Sequence, residues 1–404
     1  MSIDPSYQVT YERTAFKPNL PCFVNGEMVY HPALVLGGPA DETGNQNQSA
    51  ETSMNMNMNM SIRTVLILDR KEIQTIYGCV KIAQKALYDE TAMTAQFLGP
   101  EERKAIKIFI KQKIRNTPIS EDYQSELRLQ KYLSDPELNN GNPTVMPIDT
   151  VLEDTNNIYV VLPYAEGGEL FEYVATSAGQ IGEKEGRHLF QNMAMSVAYI
   201  HSKNVAHRDV SLENYVLSNL RDKIPILIDF GLAITLERDD DGSWKEIEYQ
   251  QPFGKPAYLS PEFFLISRLH AKAKKEQQQS GDTSKPLKRY SYDGAKQDIW
   301  ALGVCLWMIL FGRNPWKIPY WKSDHNYYRI VTKVDLRGWL MSKGLKLNTY
   351  TLENGSQVQF WEKDQYRLSE EVVDLLQNIL RQDPEDRYTA EEILRHPWIT
   401  QDTL

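Results

Sequence analysis

The stretch from Ile299 to Phe311, IWALGVCLWMILF, has no charged side chain on any face. It falls short of the roughly 18 residues a membrane-crossing helix needs. A helix that is apolar all round is stable in water only when neighbours cover it on every side. The chain must therefore fold around a large soluble core. Its 404 residues, 41% hydrophobic and 25% charged, suffice for one and suggest two to three domains. The opening MSIDPSYQVT carries Asp4 and no apolar run, so no signal peptide is expected. Ser2 excludes N-myristoylation, and the end QDTL is not a prenylation box. A net charge of −9 argues against nucleic acid, whose binding needs Lys and Arg on phosphates. Cys22, Cys79 and Cys305 are odd in number and far apart, which gives neither a disulfide framework nor a metal cluster. The expectation is a cytoplasmic protein, with nuclear access open and with no membrane or nucleic-acid partner.

Residues 1–61 differ from the rest. Arg13 and Lys17 are their only Arg or Lys residues, and polar DETGNQNQSAETS runs into a MNMNMNM tract. Such low complexity usually stays flexible. A hairpin around Asn25-Gly26 within residues 22–36 is one reading. The reading taken is a partly low-complexity, flexible extension lying on the main domain. From residue 62 the runs TVLILD, YGCVKIAQKALY and KAIKIFIK read as strands. A helix capped at Ser120-Glu121-Asp122 follows, with Leu127, Tyr132 and Leu133 at apolar positions. VMPIDTVLE and IYVVLPY are two more strand candidates. After Gly167-Gly168 the chain turns helical, with Phe190, Met193, Val197 and Ile200 at steps of three and four. Past residue 290 most of the sequence reads as helix. A sheet-rich part ahead of a helical part predicts an α+β protein in two lobes, 62–162 and 163–404.

Five elements stand in one order: Lys107 in KAIK, Glu126 on the capped helix, His207-Arg208-Asp209, Asn214, and Asp229-Phe230-Gly231. GKPAYLSPE at 254–262, DIWALGV at 298–304 and DPEDRYTAEEILRHPWI at 383–399 follow. Any one of these arises by chance in many chains; the whole series does not. Together, over roughly residues 62–400, they resemble the eukaryotic protein kinase superfamily, serine/threonine type. GGELF and RHPWI are similar to runs of its calcium/calmodulin-dependent group. The sequence ends soon after Trp398 and holds no EF-hand loop, so no C-terminal calmodulin-binding helix is expected.

The resemblance implies the two-lobed α+β protein-kinase fold and transfer of the γ-phosphoryl group of ATP, with Mg²⁺, to Ser or Thr of a protein substrate. A pseudokinase, binding nucleotide as a scaffold, is the alternative. Phosphoryl transfer asks the protein for an in-line nucleophile and for compensation of negative charge. By resemblance, Asp209 would orient the substrate hydroxyl or take its proton. Asn214 and Asp229 would hold Mg²⁺ through hard oxygens. Lys107 would reach the α- and β-phosphates, fixed by an ion pair with Glu126. Val80 and Ala105 would cover the adenine from above, Val216 would form its floor, and Leu162 would be the gatekeeper. Pro163-Tyr164-Ala165 would be the hinge, offering the Pro163 carbonyl and the Ala165 N–H; Pro lacks an N–H, but that position uses only its carbonyl. Glu169 would approach the ribose and could select a basic residue upstream of the acceptor. Arg387 would pair with Glu262, and Asp298 would bond the backbone at His207-Arg208.

Several positions depart from the family pattern. A glycine-rich loop ending at Val80 calls for Gly at 73, 75 and 78, where the chain has Ile73, Thr75 and Gly78. β-branched residues disfavour positive φ and block close approach of backbone to phosphate. In the catalytic loop HRDVSLEN, Ser211 stands where serine/threonine kinases carry Lys. Lys255 stands where the family has the Thr that contacts that Lys. Two departures that touch suggest that Lys255 supplies the missing cation; the opposing reading is that Lys255 points to solvent. Gln130 replaces an apolar residue expected to stack above Phe230, and a buried Gln needs hydrogen-bond partners.

Arg208 would pair with a phosphorylated activation segment, for which 229–262 offers Thr235, Ser243, Tyr249, Tyr258 and Ser260. Asp239-Asp240-Asp241 could pair with it without phosphate, or be a solvated loop tip. Insertions relative to the family fall near 84–103, 264–290 and 332–366. Residues 264–290 hold seven basic and two acidic residues. They could dock an acidic partner or form a solvated loop.

Overall fold

The computed structural model describes residues 8–24, 27–36, 62–116, 122–135, 144–177, 179–280, 288–352, 355–364 and 366–401. The chain divides into two compact units: Tyr7–Leu138 with Met146–Ala165, and Met1–Ser6 with Asn139–Val145 and Glu166–Leu404.

The first unit is built on β1 (Tyr11–Arg13), β2 (Ala15–Val24), β3 (Glu27–Val35), β4 (Ile62–Leu68), β5 (Ile73–Gln74), β6 (Gly78–Asp89), β7 (Thr94–Phe97), β8 (Arg103–Ile110), β9 (Thr150–Glu153) and β10 (Asn157–Pro163). The sheet order is β1-β9-β10-β8-β6-β4-β3-β2, with β5 and β7 also on β6. Period-two alternation sorts β8 into two faces. Ile106 and Ile108 pack with Leu34, Leu66, Leu152, Tyr159 and Val161. Phe109, on the opposite face, packs with Tyr77, Leu127, Ile158 and Val160. Leu127 lies on helix α1 (Tyr123–Leu133), whose N-cap is Asp122, accepting from the Gln124 N–H.

Residues 11–35 correct the reading of 1–61 as a flexible extension. β1 pairs in parallel with β9, and the hairpin β2–β3 pairs with β4 at the other end of the sheet. The driving force is burial: Leu20, Cys22, Ala33 and Val35 pack on Val65, Ile67, Ala86 and Tyr88. The β2–β3 register shifts between Lys17 and Leu20, a stretch that contains Pro18, which cannot donate to a ladder. The Asn25-Gly26 turn and the MNMNMNM tract lie outside the described residues. The insertion at 84–103 lengthens β6 and folds back on it as β7.

The second unit contains helices α2 (Leu170–Thr176), α3 (Glu183–Ser202), α4 (Pro261–Ser280), α5 (Gly294–Phe311) and α6 (Glu370–Ile379). α5 is the apolar run, and every residue from Ile299 to Leu310 is buried. Asp293 caps it by accepting from the Ala295 and Lys296 N–H groups, and Gly312 ends it at φ +64°. The insertion at 332–366 corrects the helical expectation beyond residue 290. It contributes most of a three-stranded sheet of β11 (Lys346–Thr351), β12 (Gln357–Lys363) and β13 (Tyr366–Ser369).

Arg387 is wholly buried and bidentate on Glu262, at 2.7 and 2.6 Å. It also donates to the carbonyls of Arg381, Gln382 and Lys296. Asp298, at the start of α5, accepts from the backbone N–H groups of His207 (2.8 Å) and Arg208 (2.7 Å). Its Oδ2 also meets His201 Nε2 at 3.0 Å.

Candidate active site

In the first unit, strand register places the expected residues on one sheet face. Val80 lies opposite Lys107, Lys107 opposite Val160, and Ala105 opposite Leu162. Ala105 and Lys107 are two apart on β8, so their side chains share a face. Lys107 Nζ meets Glu126 Oε1 at 2.5 Å, and the carboxylate is 3% exposed. Pro163 closes β10 opposite Lys104, and the Tyr164 ring that follows stacks under Arg103 at 4.1 Å.

The turn before Val80 is a tight hairpin. β5 pairs with β6, with Ile73 opposite Val80, and the Thr75 N–H donates to the Gly78 carbonyl. None of Ile73, Thr75 and Ile76 takes a positive φ, so the strain that β-branched residues would suffer is not incurred. Ile73 is 71% exposed. Gly78 serves a different need: a Cβ there would lie 1.8 Å from the Ile108 carbonyl oxygen. Gln130 is buried and satisfied, since its Nε2 donates to the Met146 carbonyl at 3.0 Å.

In the second unit the catalytic-loop residues converge. Asn214 Nδ2 donates to Asp209 Oδ2 (2.8 Å) and to the Asp209 carbonyl (2.7 Å). With the amide nitrogen so committed, the Asn214 side-chain carbonyl is the atom offered to a cation. The Ile228 N–H donates to the Asn214 carbonyl, drawing the segment of Asp229 beside it. No cluster of three His, Cys, Asp or Glu suited to a metal occurs among the described residues. Two hard-oxygen donors nonetheless suit Mg²⁺, which keeps most of its shell for phosphate and water. Arg208 and Asp229 take φ of +64° and +65°. For non-Gly residues this costs about 1–3 kcal/mol and tends to occur at functional sites. Phe230 is buried against the His207 ring, centroids 5.0 Å apart. Val216 bridges Glu169 in an isolated antiparallel pair.

Lys255 does not point to solvent. Its Nζ donates to Ser211 Oγ at 2.7 Å and lies 3.3 Å from Asp209 Oδ2. Gly254 just ahead of it takes φ +79°, and a Cβ there would crowd Leu259 Cδ2 at 3.2 Å. Sequence reasoning read Tyr258 only as a hydroxyl open to phosphorylation and missed its anchoring role. Its hydroxyl donates to Glu213 Oε2 at 3.0 Å and accepts from the Leu212 N–H, fastening residues 254–262 to the catalytic loop. Its place inside GKPAYLSPE was the available signal. Desolvation first, then the carboxylates of Glu213 and Glu172, push the Glu169 carboxyl above its usual range, and Lys255 pulls it back. Asp239 to Asp241 are exposed and do not pair with Arg208; Asp241 instead accepts from Ser243.

A family model described as the protein kinase domain matches residues 91–399, beginning beyond the hairpin at 73–80. The chain is 28% identical over 298 residues to calcium-dependent protein kinase 19 of Arabidopsis thaliana, covering 73% of this chain and 42% of that one. It is 29% identical over 288 residues to serine/threonine-protein kinase SAPK2 of Oryza sativa subsp. indica, covering 70% and 66%. It therefore spans less than two thirds of the length of these relatives. A solved structure of Rad53 1-466 in complex with AMP-PNP aligns with a TM-score of 0.48 at 20% identity, covering 83% of this chain and 65% of that one. With the family model matching well over half of its residues, the chain belongs to the protein kinase domain family and has the α+β kinase fold.

Proposed function

We propose that the chain is an active, ATP- and Mg²⁺-dependent serine/threonine kinase of protein substrates. The observation that carries this is the position of Lys255, which brings an ammonium to Asp209 and Ser211 where the family's own Lys is missing. A decayed site has no reason to keep that charge at that place. Asp209, oriented by Asn214, holds the acceptor hydroxyl and takes its proton as the new oxygen–phosphorus bond forms and the bond from the γ-phosphorus to the leaving ADP oxygen breaks. Lys255 compensates charge on the transferring group from a preorganised position, which is worth far more than the same charge in water. Lys107, fixed by Glu126, binds the α- and β-phosphates. Mg²⁺, held by Asn214 and Asp229, would neutralise phosphate charge when bound. In the first unit, Val80, Ala105, Leu162 and the hinge atoms of Pro163 and Ala165 would serve the adenine; in the second, Val216 would serve the adenine and Glu169 the ribose, as the family resemblance implies.

Desolvation, and then the nearby Glu213 and Glu172, raise the cost of ionising Glu169, so a basic residue upstream of the acceptor would relieve it. Arg268, Lys272, Lys274 and Lys275 on α4 offer an acidic partner a second contact. A cytoplasmic location is part of this reading and rests on the sequence alone. The test is incubation with labelled ATP, Mg²⁺ and a generic protein substrate beside Asp209→Asn. Incorporation well above that control is expected; incorporation equal to it favours the scaffold.

A further inference from the structure

Arg208 adjoins the proposed base Asp209, and among the described residues no carboxylate pairs with it. Its Nε donates to the Leu232 carbonyl at 2.6 Å and its Nη1 to the Tyr292 hydroxyl at 3.0 Å. Its guanidinium lies 4.6 Å from the centroid of Phe253. Tyr292 is 3% exposed, and its ring lies 4.9 Å from Phe263, which in turn packs on Phe253 at 4.6 Å. The backbone joins the same two segments. Residues Ile247–Glu248 pair with Ser291–Tyr292, and the Tyr249 N–H donates to the Tyr290 carbonyl at 2.8 Å. The activation segment is thus fastened to the strand just ahead of α5 by rings, by a ladder and by one guanidinium.

We propose that Tyr292 is a positioning residue: its hydroxyl, with the Phe253 ring, holds Arg208 and so the Asp209 loop, and turnover needs no phosphate on residues 229–262. Three of the five hydroxyls in that segment, on Tyr249, Tyr258 and Ser260, are buried. Of the exposed two, Ser243 is engaged by Asp241, and Thr235 sits in a backbone pair with Val205. A phosphate reaching Arg208 would have to displace a buried phenol. The inference rests on Asp209 being the base of a working kinase.

The test uses the full chain, stripped of phosphate by a phosphatase and checked by mass spectrometry. Turnover within about twofold of the untreated protein is expected. Tyr292→Phe keeps the ring in its cluster but removes the acceptor. Its kcat should fall about 10-fold or more with KM for ATP unchanged and the thermal midpoint little moved. Amide exchange at 205–212 should quicken. Phe253→Leu is the second variant, with the same split expected. A tenfold loss on phosphatase treatment overturns the proposal, as does unchanged kcat in both variants. Should the untreated protein match Asp209→Asn, the kinase reading fails on its own, and amide exchange decides the clamp: unaltered exchange in Tyr292→Phe overturns it.

Discussion

In the function proposed for this site, a single ammonium carries much of the chemistry. Lys255 approaches Asp209 from residues 254–262, whereas the family's Lys would stand at Ser211 in the catalytic loop itself. If charge at this point is what matters, its origin in the chain should not. Lys255→Thr is expected to lower kcat by about 10²–10³-fold, the loss typical of one preorganised charge-stabilising donor. Adding Ser211→Lys in that background, with the space vacated, should recover at least about tenfold, read by steady-state kinetics. The exchange is legible in the sequence alone because both departures fall in motifs of fixed spacing. Gly78 is not. Its place in the sequence points to a phosphate-facing turn, while its absent side chain makes room for the Ile108 carbonyl. Such a contact, thirty residues away in sequence, leaves no local trace.

Elements carry the stability and the pH response. Glu262→Ala would leave the buried Arg387 guanidinium without its carboxylate and is expected to cost about 3–5 kcal/mol, measurable by denaturant unfolding. The Glu169 carboxyl, pushed up by desolvation and by Glu213 and Glu172, ionises at higher pH than an ordinary glutamate. Its attraction for a cationic peptide should therefore still be growing as pH rises above the ordinary glutamate range, and KM for a peptide with an upstream Arg should fall over that rise. Glu169→Gln should flatten the profile. The sheet of β11–β13 escaped sequence reading for a physical reason. β11, KLNTYT, is exposed at all six positions and so shows no apolar period. Only β12, with Val358 and Phe360 buried, alternates.

For the molecule as a whole, the long motif series made the kinase fold readable, because each motif is short-range in sequence. The strands at 11–35 were legible only as one reading of residues 22–36 as a hairpin, since their other partners, Val65, Ile67 and Leu152 among them, lie far along the chain. Deleting residues 1–36 would uncover Val65, Leu66 and Ile67 and is expected to lower the thermal midpoint and promote aggregation, followed by light scattering. The proposed function turns on something narrower: phosphoryl transfer at Asp209, supported by Lys255. The most direct measurement is kcat for a serine peptide with ATP and Mg²⁺ in three proteins side by side. Wild type should turn over, Asp209→Asn should lose essentially all activity, and Lys255→Ala should lose most of it. Normal turnover in Lys255→Ala alongside an inactive Asp209→Asn would contradict the role given to Lys255, and equal rates in all three would contradict catalysis itself.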